Sequence, residues 1–550
     1  MVSVNRVRSN NQMTEKAQDP SRRSFLKNAG LGTMGLAAGA LGSHSALAGG
    51  NAVLTGADDK NKSYIKTDKR KKLIYNGYLI TMDEQYGDIE DGAVLVDGDK
   101  IVDVGPVSKF AGVDAELIDA DGGIILPGII DSHRHTWMSL LRGISADMSL
   151  AGFLGSTFYG IGSVMEPEDI RMAALVGSVE ALNAGVTTIL DCCDCVNSPD
   201  HAPAAIESLR ASGIRSIYAY GMQAYDYKGS NRFRSHQQRL DVMKNIHQQY
   251  YGSGNKTLNQ MGVLLSDFGT IPFAHTAKEI ELANDLGIFV ASHTGAAEKS
   301  ILLKGLHELK HNNLLKPGHL HIHCTSLDNS EWKILKETGG KVSIAPETEM
   351  QMGMGRPPFR ASLDHGFKPG LSSDIVCVGS GDLFSQMRLG LQFQRCMDSE
   401  AEANRTGKTT TKIDLSVRDA LTWATHGSAE AMGMEKEIGS ITKGKKADII
   451  IVSQKEAFVP SSYPAGSVVL QTTSSGVDTV IINGDVKKRF GKLTQQNTDK
   501  IRSDATEALR RIQKAAKKLP KQTAEEVATF FDAAQEQARE NFSAGYSYKK

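Results

Sequence analysis

The chain has 550 residues, with 63 Lys and Arg against 63 Asp and Glu, so its formal charge is zero. That balance excludes the bulk electrostatic attraction on which nucleic-acid and anionic-membrane binding rely, and leaves a small molecule as the expected partner. The length suits one large domain with a smaller one, and no run of about 20 purely apolar residues follows position 50, so no stable membrane span is expected after processing.

Residues 1–48 read as a twin-arginine signal peptide. Ser21-Arg22-Arg23-Ser24-Phe25-Leu26-Lys27 precedes a weakly apolar stretch that ends in the small-x-small pattern Ala46-Leu47-Ala48. The glycines of that stretch would each weaken a structural helix by about 1 kcal/mol. The expected partner is therefore the twin-arginine export machinery, and the expected location is periplasmic or secreted. Export by this route moves a folded protein, so a cofactor can be loaded beforehand.

Residues 71–124 form short alternating runs, "KKLIYNGYLITM", "GAVLVDGDKIVDVG" and "AELIDADGGIILPG", with Asn-Gly and Asp-Gly pairs where hairpins turn. The pattern returns at 438–494 in "IGSITKGKKADIIIVS" and "VDTVIINGDVKKRFGKLT". Each segment alone has too few strands to be stable, which predicts one small composite β-sandwich domain built from both flanks of the middle region.

That middle, 125–437, alternates apolar β-branched runs with helix-length segments. The runs are "GIILPGIID", "GVTTILD", "IRSIYAYG", "MGVLLSD", "GIFVASH", "LHIHCTS", "KVSIAPE" and "FKPGLSSD". Eight such units predict an α/β fold, a (β/α)₈ TIM barrel, whose active site lies at the C-terminal strand ends. Asp131, Asp191, His293, His323, Glu347 and Asp374 all fall at those ends. Cys192, Cys193 and Cys195 crowd into "LDCCDC" without a second pair at zinc-ribbon spacing, and read as small buried residues. The tail, 495–550, reads as two helices split by Pro520, with Ile501, Ala505, Leu509 and Ile512 on one stripe that packs on the barrel or on a second copy in a homo-oligomer.

Within "DSHRHTWMSLLRG", residues i and i+2 of a strand share a side, so His133 and His135 can chelate one ion. His293 ends the fifth strand, and Asp374 ends the eighth, which closes beside the first. Three imidazoles and a carboxylate suit one divalent metal, Zn²⁺ first and Fe²⁺ second. An isolated His-x-His is more often a pair of ordinary surface or core histidines. Four residues falling independently at the right strand ends make the stronger case.

The segments "LPGIIDSHRH", "LLRG", "GVTTILD", "HCTSLDNSE", "PGLSSD" with "DLFSQMR", and "GSITKGKKADIIIV" resemble the amidohydrolase superfamily in its cytosine deaminase and triazine hydrolase branch, from about Lys71 to Thr494. The resemblance implies that His133, His135, His293 and Asp374 hold the metal and that His323 contacts the water or the substrate. His321 is a rival for the last role, but "HCTSLDNSE" starts at His323.

Two positions depart from that pattern. Deaminases of the branch carry a proton-shuttling Glu three residues after the strand-five His, where this chain has Ala296; Glu298 stands two positions later and reads either as a displaced shuttle or as a solvated helix-start residue. On strand seven the family's Pro-x-Ser-Asn is Pro346-Glu347-Thr348-Glu349. Glu349 either binds substrate or pairs with Arg356, and Glu347 is a weaker candidate.

The implied reaction is attack of a metal-activated water on an sp² carbon bearing nitrogen, with Asp374 taking the proton and His323 steadying the oxyanion. The missing shuttle favours hydrolysis of an amide, urea or lactam-like bond. The alternatives are an aminohydrolase of an N-heterocycle with a displaced shuttle, and a non-catalytic periplasmic binding protein. A binuclear centre would need a bridging lysine on strand four, and "MGVLLSDFG" has none, so one metal is expected.

Overall fold

A computed structural model describes residues 70–223, 232–252, 258–297, 299–457, 459–520 and 523–545; the expected export signal, 1–48, lies outside them. The strands are β1 (Lys71–Ile80), β2 (Asp88–Asp97), β3 (Lys100–Pro106), β4 (Glu116–Asp119) and β5 (Ile124–Pro127), then β6 (Ile129–Arg134), β7 (Val186–Cys193), β8 (Arg215–Gly221), β9 (Asn259–Leu264), β10 (Phe289–Thr294), β11 (Leu320–His323), β12 (Lys341–Ile344) and β13 (Gly370–Leu371). A final group follows: β14 (Ile449–Val452), β15 (Val477–Ile482), β16 (Asp485–Arg489) and β17 (Lys492–Leu493).

Strands β6 to β13 lie side by side in chain order, all parallel, and a bridge between Arg134 and Asp374 joins the last to the first. The backbone repeats that closure: Asp374 N–H donates to His133 O at 3.0 Å and His135 N–H to Asp374 O at 2.9 Å. Parallel strands covered by helices on one side and a packed interior on the other have no solvent face, and β7 and β8 are buried at every position. The interior holds Ile130, Leu190, Ile217 and Leu264, filled further by Met432 and Ile438 from the segment after the last strand.

The apolar run predicted as one strand, "GIILPGIID", is two. Residues Ile124–Pro127 pair with β1 and β14, and the barrel begins only at Ile129. Strand β5 is thus the seam at which the two flanks join into one mixed nine-stranded sheet. Its core draws Ile74, Leu79 and Ile125 from the first flank and Ile449, Ile451 and Ile481 from the second. The sheet is tied to the barrel by a buried two-bond ion pair: Arg215 Nε donates to Asp448 Oδ2 at 2.7 Å and its Nη2 to Oδ1 at 3.0 Å.

The tail packs on its own barrel as helices Thr498–Ala516 and Ala524–Gly545. The first buries Ile512, and its Arg511 Nε donates to Asp169 Oδ1 at 2.7 Å. No helix among the described residues is long and apolar enough to cross a membrane.

Candidate metal centre and active site

Strict alternation from the inward Ile130 would aim Ser132 and Arg134 into the barrel. Pairing of β6 with β7 slips register between Asp131 and Arg134, and within and just past that slip His133 and His135 both face the site. Arg134 turns away, toward Asp131, Ser373 and Glu180. Asp131, which opens this run, is therefore a clamp: its Oδ1 accepts Ser373 N–H at 3.0 Å and holds the loop after β13 against β6. At the other strand ends His323 (φ 76°) and Asp374 (φ 58°) adopt left-handed backbone, a conformation that costs about 1–3 kcal/mol in side-chain-bearing residues and concentrates at functional sites.

The result is a tight convergence. Ring nitrogens of His133, His135 and His293 lie within 4.8 Å of one another, and those of His133 and His323 lie equally close to a carboxylate oxygen of Asp374. Asp374 Oδ1 is 3.0 Å from His133 Nε2 and 3.5 Å from His135 Nε2, while Oδ2 is 3.9 Å from His323 Nε2. His133 Nε2 is fully buried and makes no hydrogen bond, despite that 3.0 Å approach. Two polar atoms that crowd together in the interior without bonding to each other behave as donors to a third centre, and three imidazoles with a carboxylate fit one Zn²⁺.

Each ring is steered by its other nitrogen. His135 Nδ1–H donates to Cys192 O at 2.8 Å and lies 3.3 Å from Asp194 Oδ1; His293 Nδ1–H donates to Asp267 Oδ1 at 3.0 Å; His133 Nδ1 contacts Cys192 Sγ at 3.1 Å. These contacts leave every Nε2 for the centre. Asp267 is held in turn by Gln223 Nε2 at 2.9 Å, and Asp194 accepts the Trp137 indole N–H. Sequence reasoning missed Asp194, Asp267 and the contact made by Cys192. Its clues were present, since Asp267 ends the "MGVLLSD" run and Asp194 sits inside "LDCCDC".

Burial and charge pull these groups apart. Burial holds His133 well below the usual imidazole range. It acts the same way on His135, but the Asp194 and Asp374 carboxylates outweigh it and raise that ring to about 9. Asp374 is held low against its own burial by His133 and the other rings, whereas burial lifts Asp191 to about 6. Asp191 accepts Thr136 N–H and Oγ1–H at 3.1 and 2.7 Å, which fixes the turn leaving His135.

Glu349 differs from its expected roles. It is fully buried, its Oε1 accepts His323 Nδ1–H at 3.2 Å and Ala345 N–H at 2.8 Å, and Arg356 is exposed. Oε1 thus steers His323, while Oε2 is buried and makes no hydrogen bond. Glu347 is tied to Ser380 and Gln386, outside the site. His321 turns to Thr294 Oγ1 at 3.0 Å and stacks on His319, which leaves His323 as the strand-six histidine of the site. Glu298 lies outside the described residues. Ala296 lines the cavity, which measures about 60 Å³ and carries Asp194, Asp267 and Asp374 among apolar walls that include Phe153, Phe158 and Met352.

Residues 124–487 match the model of the amidohydrolase family. The chain belongs to that family. Among curated relatives, this amidohydrolase is 27% identical over 441 residues to a 5'-deoxyadenosine deaminase of Methanobrevibacter smithii, a match covering 78% of this chain and 95% of that protein. It is also 27% identical over 459 residues to a 5-methylthioadenosine/S-adenosylhomocysteine deaminase of Bacillus cereus, covering 81% and 100%. Its fold is similar to that of a zinc-bound adenosine deaminase from Xanthomonas campestris (TM-score 0.70, 22% identity, 80% of this chain and 98% of that one). The fold of a zinc-complexed atrazine chlorohydrolase from Arthrobacter aurescens is similar too (TM-score 0.66, 23% identity, 80% and 100%). With its His and Asp cluster, this amidohydrolase is a metal-dependent hydrolase of carbon–nitrogen bonds with one divalent cofactor, for which zinc suits the donor set.

Proposed function

We propose that this amidohydrolase is an aminohydrolase that replaces an exocyclic amine of a small nitrogen heterocycle with oxygen. The observation that carries the reading is the span of Asp374, one oxygen beside His133 and His135 and the other toward His323. His133, His135, His293 and Asp374 would hold the divalent ion, which when bound makes hydroxide available near neutral pH. Asp374 Oδ2, on the His323 side, accepts the proton released as the nucleophile forms and returns one to the departing amine. Glu349 accepts a hydrogen bond from His323 Nδ1–H and so points Nε2 into the site, where the ring, with a proton on Nε2 as well, donates to the oxygen that develops on the attacked carbon.

This takes the aminohydrolase alternative over the preference for amide, urea or lactam-like bonds drawn from Ala296. The relatives matched over most of the chain are deaminases by name. The physical basis of the preference is also weaker than the sequence suggested, because Asp194, Asp267 and Asp374 line the same small cavity and the missing glutamate does not leave it without acids. The deciding measurement is ammonia release from adenosine-type nucleosides set against cyclic ureas and lactams. Stoichiometric ammonia from the nucleosides is expected; turnover confined to the ureas or lactams would restore the amide reading.

We further propose that the protein acts after twin-arginine export, a reading supported by Ser21–Lys27 and the Ala46-Leu47-Ala48 pattern.

A further inference from the structure

We infer that the C-terminal helix Ala524–Gly545 forms the outer wall of the substrate chamber and selects substrates that carry an apolar group on the side of the ring away from the departing amine. The inference rests on the aminohydrolase reading. Its starting point is size: the cavity at the histidines, about 60 Å³, admits the reacting edge of a heterocycle and little more. A second space of about 410 Å³, in the range of small-molecule sites, adjoins it and shares Leu150, Leu154, Asp267 and Leu303 with its wall. The rest of the substrate has to lie there.

The far side of that chamber is built by the tail. Val527, Phe530, Phe531 and Ala534 face it, opposite Leu150, Leu154 and Leu303, and polar groups such as Gln223 and Asp267 are the minority. Phe530 is 49% exposed and meets Tyr159, which packs on the barrel core, edge to face at 5.6 Å.

The helix is fixed at its other end. Ala538 and Phe542 are buried against Gly269 and Gly305, both left-handed (φ 89° and 104°), where any Cβ would come within 2.7 Å of Ala538 or 2.6 Å of Phe542. Asn541 Nδ2 donates to Gly269 O at 2.7 Å, and Asn312 Nδ2 to Gly545 O at 2.5 Å. An anchored second half therefore holds an apolar first half over the route to the histidines. The helix lies beyond residue 487, where the family match ends.

The test compares adenosine with 5'-methylthioadenosine on the zinc-loaded full chain, using Phe530→Ala/Phe531→Ala and Ala534→Trp. The double variant should lower kcat/KM for the methylthio substrate about tenfold more than for adenosine, mainly through KM, with zinc content unchanged. Ala534→Trp should exclude the bulkier substrate in the same sense by filling the chamber. Equal losses on both substrates, or none, would overturn the inference. The amphipathic dye 8-anilinonaphthalene-1-sulfonate, whose aromatic rings seek apolar cavities, gives a readout without turnover: its fluorescence with wild type should be lost in Ala534→Trp. Dye binding retained in Ala534→Trp overturns the chamber. Dye binding lost, but with wild type releasing ammonia from neither nucleoside, upholds the chamber and rejects the aminohydrolase reading.

Discussion

Glu349 Oε1 lies 3.2 Å from His323 Nδ1, in a place where neither residue is open to solvent. The pair links the short helix Pro346–Gln351 after β12 to the end of β11 across 26 residues and turns a carboxylate that the sequence offers to substrate into one that steers a histidine. Glu349→Gln keeps an acceptor and removes the charge. It should lower kcat by roughly tenfold to a hundredfold with little change in KM, as for other residues that orient a reactive ring. A change confined to KM would return Glu349 to substrate binding.

Metal content tests the cluster itself. Purified protein should carry close to one zinc per chain, and His133→Ala with His135→Ala should carry almost none, because the loss of two of four donors removes most of the binding free energy. Dialysis against a chelator should abolish turnover and added zinc should restore it. Full occupancy in the double variant would remove these histidines from the site.

Asp267 makes a narrower case. Its Oδ1 orients His293 and its Oδ2 is held by Gln223. Asp267→Asn should weaken zinc affinity by about 10–100-fold while kcat recovers in excess metal. Competition with a chromophoric chelator measures this, and unchanged affinity would show that His293 needs no such partner.

Acid sensitivity should trace partly to His201, which is not part of the histidine cluster. Its Nε2–H donates to Met165 O at 3.1 Å, its Nδ1 accepts from Ser198 Oγ at 2.8 Å, and burial pushes it down to about 4. The unfolded ring, near 6.5, takes up its proton first as pH falls. The contribution is therefore whole above pH 6.5 and lost toward pH 4, on the order of 2 kcal/mol by pH 5. Thermal unfolding of His201→Gln between pH 7 and 5 should show a smaller drop than wild type; an equal drop would assign the acid loss to other groups.

Export is checked by location. Arg22→Lys with Arg23→Lys should retain the protein in the cytoplasm, since the pair is read by a receptor. Undiminished delivery would exclude the twin-arginine route.

The sequence alone determined the eight barrel runs, the composite flanking sheet and the histidines at strand ends, because strands buried on both faces must be written as contiguous apolar runs and their ends as abrupt polar stops. Tertiary structure decided what depends on neighbours far along the chain. Only pairing with β1 and β14 assigns Ile124–Pro127 to the flanking sheet. Only a register slip against β7 turns His133 inward. The partners of the ring nitrogens, Cys192 and Asp194 for His135, Asp267 for His293 and Glu349 for His323, come from neighbouring strands and the segments that follow them, and no local pattern states which residue an imidazole will meet. The tail's amphipathic stripe announced that it would pack somewhere; the glycines at 269 and 305, which leave room for Ala538 and Phe542, decided where.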